Sequence, residues 1–213
     1  GADAQSFLSA VVSGAAGSYI VTLIEDAGIN FNLVVEPGQH IRVSGESGLA
    51  PGSGAGGVTV PTTTNGKPNW GTGSITVHGG SSYRATGIRL STALSIGSGA
   101  SILSFDRCEL ILSNGIIVPY DATVSLDFRQ TTLDVPITAS TFSSFVVGIV
   151  AEGDLEMSSY ALRMGGNVNV GVAVAAGGSL ASSAFDMQMD ENHAMYSLFY
   201  AERQQYLPPA DDA

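Results

Sequence analysis

Five copies of one spacing run through this chain: apolar, any residue, apolar, five residues, apolar. They are Leu33-Val35-Ile41, Leu94-Ile96-Ile102, Ile116-Val118-Val124, Val147-Ile149-Leu155 and Val172-Val174-Leu180. Apolar residues two apart put both side chains on one face of a strand. The gap that follows holds mostly small or polar residues, such as Gly97-Ser98-Gly99-Ala100-Ser101. Small residues let the backbone pass close to the layers above and below, and glycine supplies unusual dihedrals. Ala100, Ala122, Gly153 and Gly178 stand two positions before the last apolar residue of their copies, whereas the first copy has Gln39 there. Irregular repetition of a strand–bend–strand unit predicts a β-solenoid.

A second apolar pair follows each later copy: Leu110/Leu112, Leu133/Val135, Leu162/Met164 and Met187/Met189. Each turn of the coil is therefore expected to hold three short strands, each with one face inward. The step from Val124 to Leu155 is longer than its neighbours and holds the Ser/Thr-rich stretch from Pro136 to Ser144, read as a loop outside the coil. A Gly/Ser/Thr/Pro-rich stretch between Ser44 and Asn69 is a second such loop, and Val58/Val60, Ile75/Val77 and Ile88/Leu90 complete early coils. A β-sandwich also shows alternating strands at short intervals. The constant bend length favours the solenoid, because stacking constrains bends while sandwich loops vary independently. A leucine-rich repeat would show an asparagine ladder, which is missing.

The ends of a solenoid expose open strand edges. Residues 1–17 are expected to form a cap helix, with Asp3 at its start, Phe7, Leu8, Val11 and Val12 on one face and Gly14 at its end. Residues 18–189 form the coil. Residues 190–213 form a second cap helix over 191–206, started by Asp190, and an extended tail after Pro208 and Pro209. The run from Phe7 to Leu23 resembles the cap helix and first strand of right-handed parallel β-helix proteins, the pectate lyase-like superfamily. The run Asn32-Leu33-Val34-Val35-Glu36-Pro37-Gly38-Gln39-His40-Ile41-Arg42-Val43-Ser44-Gly45 resembles their first full coil. The likeness is one of fold. It implies an all-β right-handed parallel β-helix with short capping helices at both ends, and it leaves function open, since that superfamily holds both enzymes and surface proteins.

Nineteen acids against eight bases give a net charge of −11. Nucleic acid is excluded as a partner, because neutralising phosphates needs clustered Lys and Arg. Anionic membrane surfaces are disfavoured on the same ground. No apolar run is long enough to span a bilayer. No signal-peptide pattern is visible. A processed form in a lumenal, periplasm-like or extracellular compartment is the expectation. The single Cys108 forms no intrachain disulfide and sits beside Leu110 as a small core residue.

The residue types that carry chemistry are thinly spread. Pectate lyase-like enzymes use acidic Ca²⁺ ligands with a base nearby, and the resemblance directs attention to Phe105-Asp106-Arg107 and Leu126-Asp127-Phe128-Arg129. Neighbouring coils could bring Asp106, Arg107, Asp127 and Arg129 together as a carbohydrate or Ca²⁺ site; a ladder of surface ion pairs is the plainer reading. The Asn-Thr-Asp and Arg-Ile-Lys motifs of polygalacturonases are missing, and His78-Gly79-Gly80 only partly echoes their Gly-His-Gly. His40, His78 and His193 show no paired metal spacing. Neither a catalytic residue nor a metal ligand nor a cofactor is assigned.

Trp70 lies in a loop and reads either as an exposed interface anchor or as a cover for the coil. With Tyr200, Tyr206, Pro208 and Pro209 it makes the candidate docking set. The expected function is a non-enzymatic structural or docking subunit, an acidic accessory component bound to a protein partner in a larger assembly. One version is a lumenal subunit of a photosynthetic membrane complex. The alternative is a secreted or surface β-helix that binds or processes carbohydrate.

Overall fold

The computed structural model describes residues 16–23, 31–45, 67–70, 73–136, 141–142, 145–189 and 197–201. The chain opens with β1 (Gly17–Leu23), β2 (Phe31–Val35) and β3 (Gln39–Gly45), and continues through β4 (Gly73–Val77), β5 (Ser81–Thr86) and β6 (Arg89–Ile96). Next come β7 (Gly99–Asp106), β8 (Glu109–Leu112), β9 (Ile116–Val118), β10 (Ala122–Arg129) and β11 (Thr132–Val135). The last elements are β12 (Thr141–Phe142), β13 (Phe145–Ala151), β14 (Asp154–Gly166), β15 (Val170–Val174), β16 (Ser179–Met189) and β17 (Ser197–Ala201). Every pairing is parallel except the short β12–β13 hairpin. The result is an all-β, curled, solenoid-like stack with no helix among the described residues.

The pairings fall into ladders. A first, broad ladder runs β1–β3–β5–β7–β10 and on through the leading parts of β14 and β16. A second runs from the start of β6 through β8 and β11 to the trailing part of β14. A third joins β2, β4 and the end of β6, and β9, β13, β15 and β17 continue it as a separate sheet. Inward residues form columns, for example Ile41, Tyr83, Leu103, Leu126 and Met157 along the first ladder. Phe105 and Phe128, both fully buried, stack with ring centroids 5.7 Å apart. Parallel strands with helix-free bends can bury so much only because each rung covers its neighbour.

The expected column Val124–Leu155–Leu180 is present in that register. It continues toward the N-terminus as buried Ser101 and Ser81, so the early rungs put hydroxyls where the later ones put aliphatic side chains. Three copies of the repeat are phased differently from the spacing. In the first, Ile41 falls in the column of Leu103 and Leu126 and not in that of Val124. Ile102 pairs with Ser125, one residue off the column, and is 43% exposed, while Leu103 takes the core. In the fourth copy Ile149 and Ala151 pair with Ile116 and Val118, so Ile149–Ala151, not Val147–Ile149, is the equivalent unit. The bend therefore varies in length: Val118 to Val124 in one turn, Ala151 to Leu155 in the next. Stacking fixes the columns and lets this bend adapt. Gly153 shows the local demand, because a Cβ there would run into the carbonyl oxygens of Pro119 and Ala122.

The bend between the first and second ladders is of a different kind. One residue in the left-handed region turns the chain at each rung: Gly87 (φ 65°), Arg107 (52°), Gln130 (46°) and Ala161 (55°). Each donates its backbone N–H to the next rung, to the carbonyls of Asp106, Arg129 and Tyr160 in the first three and to Asp186 Oδ2 in the last. Directly after it comes a buried column of Ile88, Cys108, Thr131 and Leu162.

The C-terminal cap helix expected over 191–206 is corrected by β17, whose residues 197–201 pair in parallel with β15. The apolar residues there alternate across a strand, and Phe199 continues the inward column of Val172. The N-terminal cap residues before Ala16, Val58/Val60, and most of the stretches from Ser44 to Asn69 and from residue 190 onward lie outside the described residues.

Candidate functional site

The outer side of the second ladder carries the one groove to consider first. Outward positions on successive rungs are Arg89, Glu109, Thr132 and Arg163 in one row, with Ile111, Asp134 and Gly165 in the next. Lys67 reaches the same place, because Asn69 bridges to Arg89 and brings that segment alongside β6. Together Lys67, Glu109, Thr132, Asp134, Arg163, Met164 and Gly165 line a groove of about 470 Å³. Arg89 and Glu109 form an ion pair at 3.6 Å. The groove thus presents two further cations beside carboxylates and a hydroxyl, a lining suited to a polar ligand carrying both acceptors and donors.

The Asp/Arg set is placed on β7 and β10 and on the left-handed bend beside them. Arg107 pairs with its neighbour Asp106 at 3.4 Å, and Arg129 pairs with Asp127 at 3.3 Å. Asp127 also accepts hydrogen bonds from Ser158 Oγ at 2.5 Å and Ser104 Oγ at 3.5 Å. In register, Asp127 lies opposite Ser104 and Asp106 opposite Arg129, so the two carboxylates occupy different rows. Lying in different rows, each beside its own arginine, the two carboxylates do not converge to supply the six to eight oxygens that a Ca²⁺ ion wants. Among the described residues no group of three or more His, Cys, Asp or Glu side chains is placed to hold a metal.

Trp70 is not an exposed anchor. It is 1% exposed and belongs to the core, where its backbone N–H donates to the Arg89 carbonyl. The Asn69–Arg89 bridge sets Asn69 outward and turns the next residue in. Tyr200 lies in β17, partly buried against Val147, Val150, Val170 and Ala173. Tyr206, Pro208 and Pro209 lie outside the described residues. Phe105 and Phe128 stack in the core, whereas Tyr160 projects into solvent at 64% exposure. His40 is in β3, hydrogen-bonded through Nδ1 to Ser82 Oγ at 2.9 Å.

Cys108 is fully buried in the corner column, and burial pushes its thiol up to about 11. A thiol held protonated this way is a poor nucleophile. Burial likewise drives the Tyr83 hydroxyl well above its ordinary range.

The sequence reading missed a pair of bases. Arg42 on β3 and Arg84 on β5 lie directly opposite each other, pointing outward from the first ladder. Among the described residues neither has an ion-pair partner. Their signal was present, since Arg42 follows Ile41 and Arg84 follows Tyr83 in the alternation, but only the register makes them neighbours. No protein-family model, no curated protein and no solved structure matches this chain.

Proposed function

We propose that this chain is a right-handed parallel β-helix that serves as a non-enzymatic structural or docking subunit, binding a protein partner at its last rung. The observation that carries this reading is the state of that rung. Apart from Ile96, the inward apolar residues are almost fully buried from Leu33 to Met164, but Leu180 and Phe185 are half-buried and Phe199, packed on Phe185 at 4.7 Å, is 46% exposed. Among the described strands β16 pairs with β14 alone and β17 with β15 alone. Among the described residues no strand lies beyond β16, whose outer edge runs beside an apolar layer. The stretch Leu180-Ala181-Ser182-Ser183-Ala184-Phe185 has no charge to repel an incoming strand. A partner strand added there would satisfy the edge and cover Phe199.

Affinity capture from the native source, followed by native mass spectrometry, tests this. The expected result is a stoichiometric complex with a different protein, lost in Phe199→Lys while the melting temperature of the isolated chain holds. A chain that emerges alone under native extraction sinks the reading. The groove around Lys67, Asp134 and Arg163 supports a second reading, a carbohydrate-binding β-helix. Binding of acidic oligosaccharides on a glycan array, abolished by Arg163→Ala, would favour it over the first.

A further inference from the structure

The outer surface of the first ladder has an ordered charge pattern. Its rows can be followed from β1 to β16. One row reads Ile20, Arg42, Arg84, Ser104, Asp127, Ser158, Ala184. The row beside it reads Ser18, His40, Ser82, Ile102, Ser125, Glu156, Ala181. In these two rows bases occupy the early rungs and acids the late ones, with small residues between; the third outward row, Thr22, Ser44, Thr86, Asp106, Arg129, Tyr160, places its acid before its base. Three of the six large apolar side chains left in solvent among the described residues, Ile20, Ile102 and Tyr160, project from this surface. Arg42 opposite Arg84 is a like-charge pair, unfavourable across adjacent strands unless an anion relieves it.

We propose that this surface is the interface of a homodimer, its occupant a second copy of the chain related by a two-fold axis running along the strands. Such an axis keeps each row over itself and reverses the strand order. It lays β3 over β14 of the second copy, β5 over β10 and β7 over β7. Arg84 then faces Asp127 of the second copy, His40 faces Glu156, Ile20 faces Ala184, and the two Ile102 side chains meet at the axis. Each contact occurs twice, as an isologous interface requires. Aligned sheets cross at about 30°, which displaces the outer strands most and leaves the central contacts of β5, β7 and β10 least affected. Strands about 4.8 Å apart and residues about 3.3 Å long give the seven-strand surface a footprint of roughly 700 Å², close to the roughly 800 Å² per partner of a standard interface. The dimer uses the outer face of the ladder and the last-rung docking uses the edge of β16, and the dimer does not rest on that docking.

Sedimentation equilibrium of the full chain, at low and high salt, tests the proposal. The expected result is a dimer that weakens as salt rises. Arg84→Glu and Asp127→Arg should each raise the dissociation constant about tenfold or more, and the two together should restore it to within about threefold. Ile102→Lys, at an exposed position that folding does not use, should also abolish the dimer. Phe199→Lys should leave it intact. A monomer at every concentration up to about 100 µM would overturn the proposal. So would a dimer indifferent to Arg84→Glu and Ile102→Lys, or a charge-swapped double variant as weak as the single ones. Should Arg84→Glu fail to fold, the Ile102→Lys result decides alone.

Discussion

Replacing Ala161 with glycine should stabilise the protein, although it removes a side chain. Ala161 turns the chain between the first and second ladders at φ 55°. An L-residue in that region is strained by about 1–2 kcal/mol. Glycine removes the strain and, through its larger unfolded-state entropy, gives back about 0.4–1 kcal/mol. The net gain is about 0.5–1 kcal/mol. The methyl group is only half-buried, and the bond from the Ala161 N–H to Asp186 Oδ2 at 3.2 Å is backbone-borne and survives the change. For a chain of this size each kcal/mol moves the midpoint by about 2–4 °C, so a rise of about 1–4 °C is expected. Urea melts read by circular dichroism, with calorimetry, measure it; the denaturant slope should not change. The mirror experiment is Gly87→Ala, in the same column at φ 65°, expected to cost about 1 kcal/mol. A drop in stability for Ala161→Gly, or neutrality of Gly87→Ala, would refute the left-handed corner.

Leu155 sits in mid-column between Val124 and Leu180 and is almost fully buried. Leu155→Ala should cost about 2–5 kcal/mol in denaturant melts, and Leu155→Asp should abolish the cooperative transition; an unchanged melt for either would break the register. Cys108 provides a pH test. Its folded-state value is raised from 9.0 to about 11, so between those limits the unfolded chain releases a proton that the folded chain keeps. Stability should therefore fall as pH climbs from about 9 and level off beyond about 11, by a few kcal/mol at about 1.4 kcal/mol per pH unit. Cys108→Ala should remove that part of the decline, and parallel curves for the two proteins would show the thiol to be unshifted.

The strand content and the coiled arrangement were legible because alternation of apolar residues reports directly on a half-buried strand. The columns of Val124, Leu155 and Leu180 and of Leu110 and Leu133 could be written from spacing alone. Phase could not. Ile102 looked like a core residue because it is apolar and at the expected distance, yet a bend one residue different moves it to the outside and brings Leu103 in. The corner at Arg107, Gln130 and Ala161 was hidden for another reason: glycine marks the left-handed turn only at Gly87, and the later rungs accept strain where tertiary hydrogen bonds hold the bend. Trp70 was ambiguous because its burial depends on a single bridge, Asn69 to Arg89. The groove and the Arg42–Arg84 pair join residues from different rungs, so no local pattern announces either.

The edges of the coil differ in how much freedom they leave to change of length. At the left-handed corner every described rung uses one turning residue: Thr86-Gly87-Ile88, Asp106-Arg107-Cys108, Arg129-Gln130-Thr131 and Tyr160-Ala161-Leu162. An inserted residue there would invert the side-chain phase of the next strand and bring its polar set into the core. The bend that leads from the third ladder to the first already differs in length between turns, and the connection from the second ladder to the third holds the β12 hairpin. Descendants of such a chain would be free to diverge in outline along two seams while keeping a fixed hinge line along the third. Grafted segments should be accepted at the bend between Val118 and Val124 and rejected between Arg129 and Thr131.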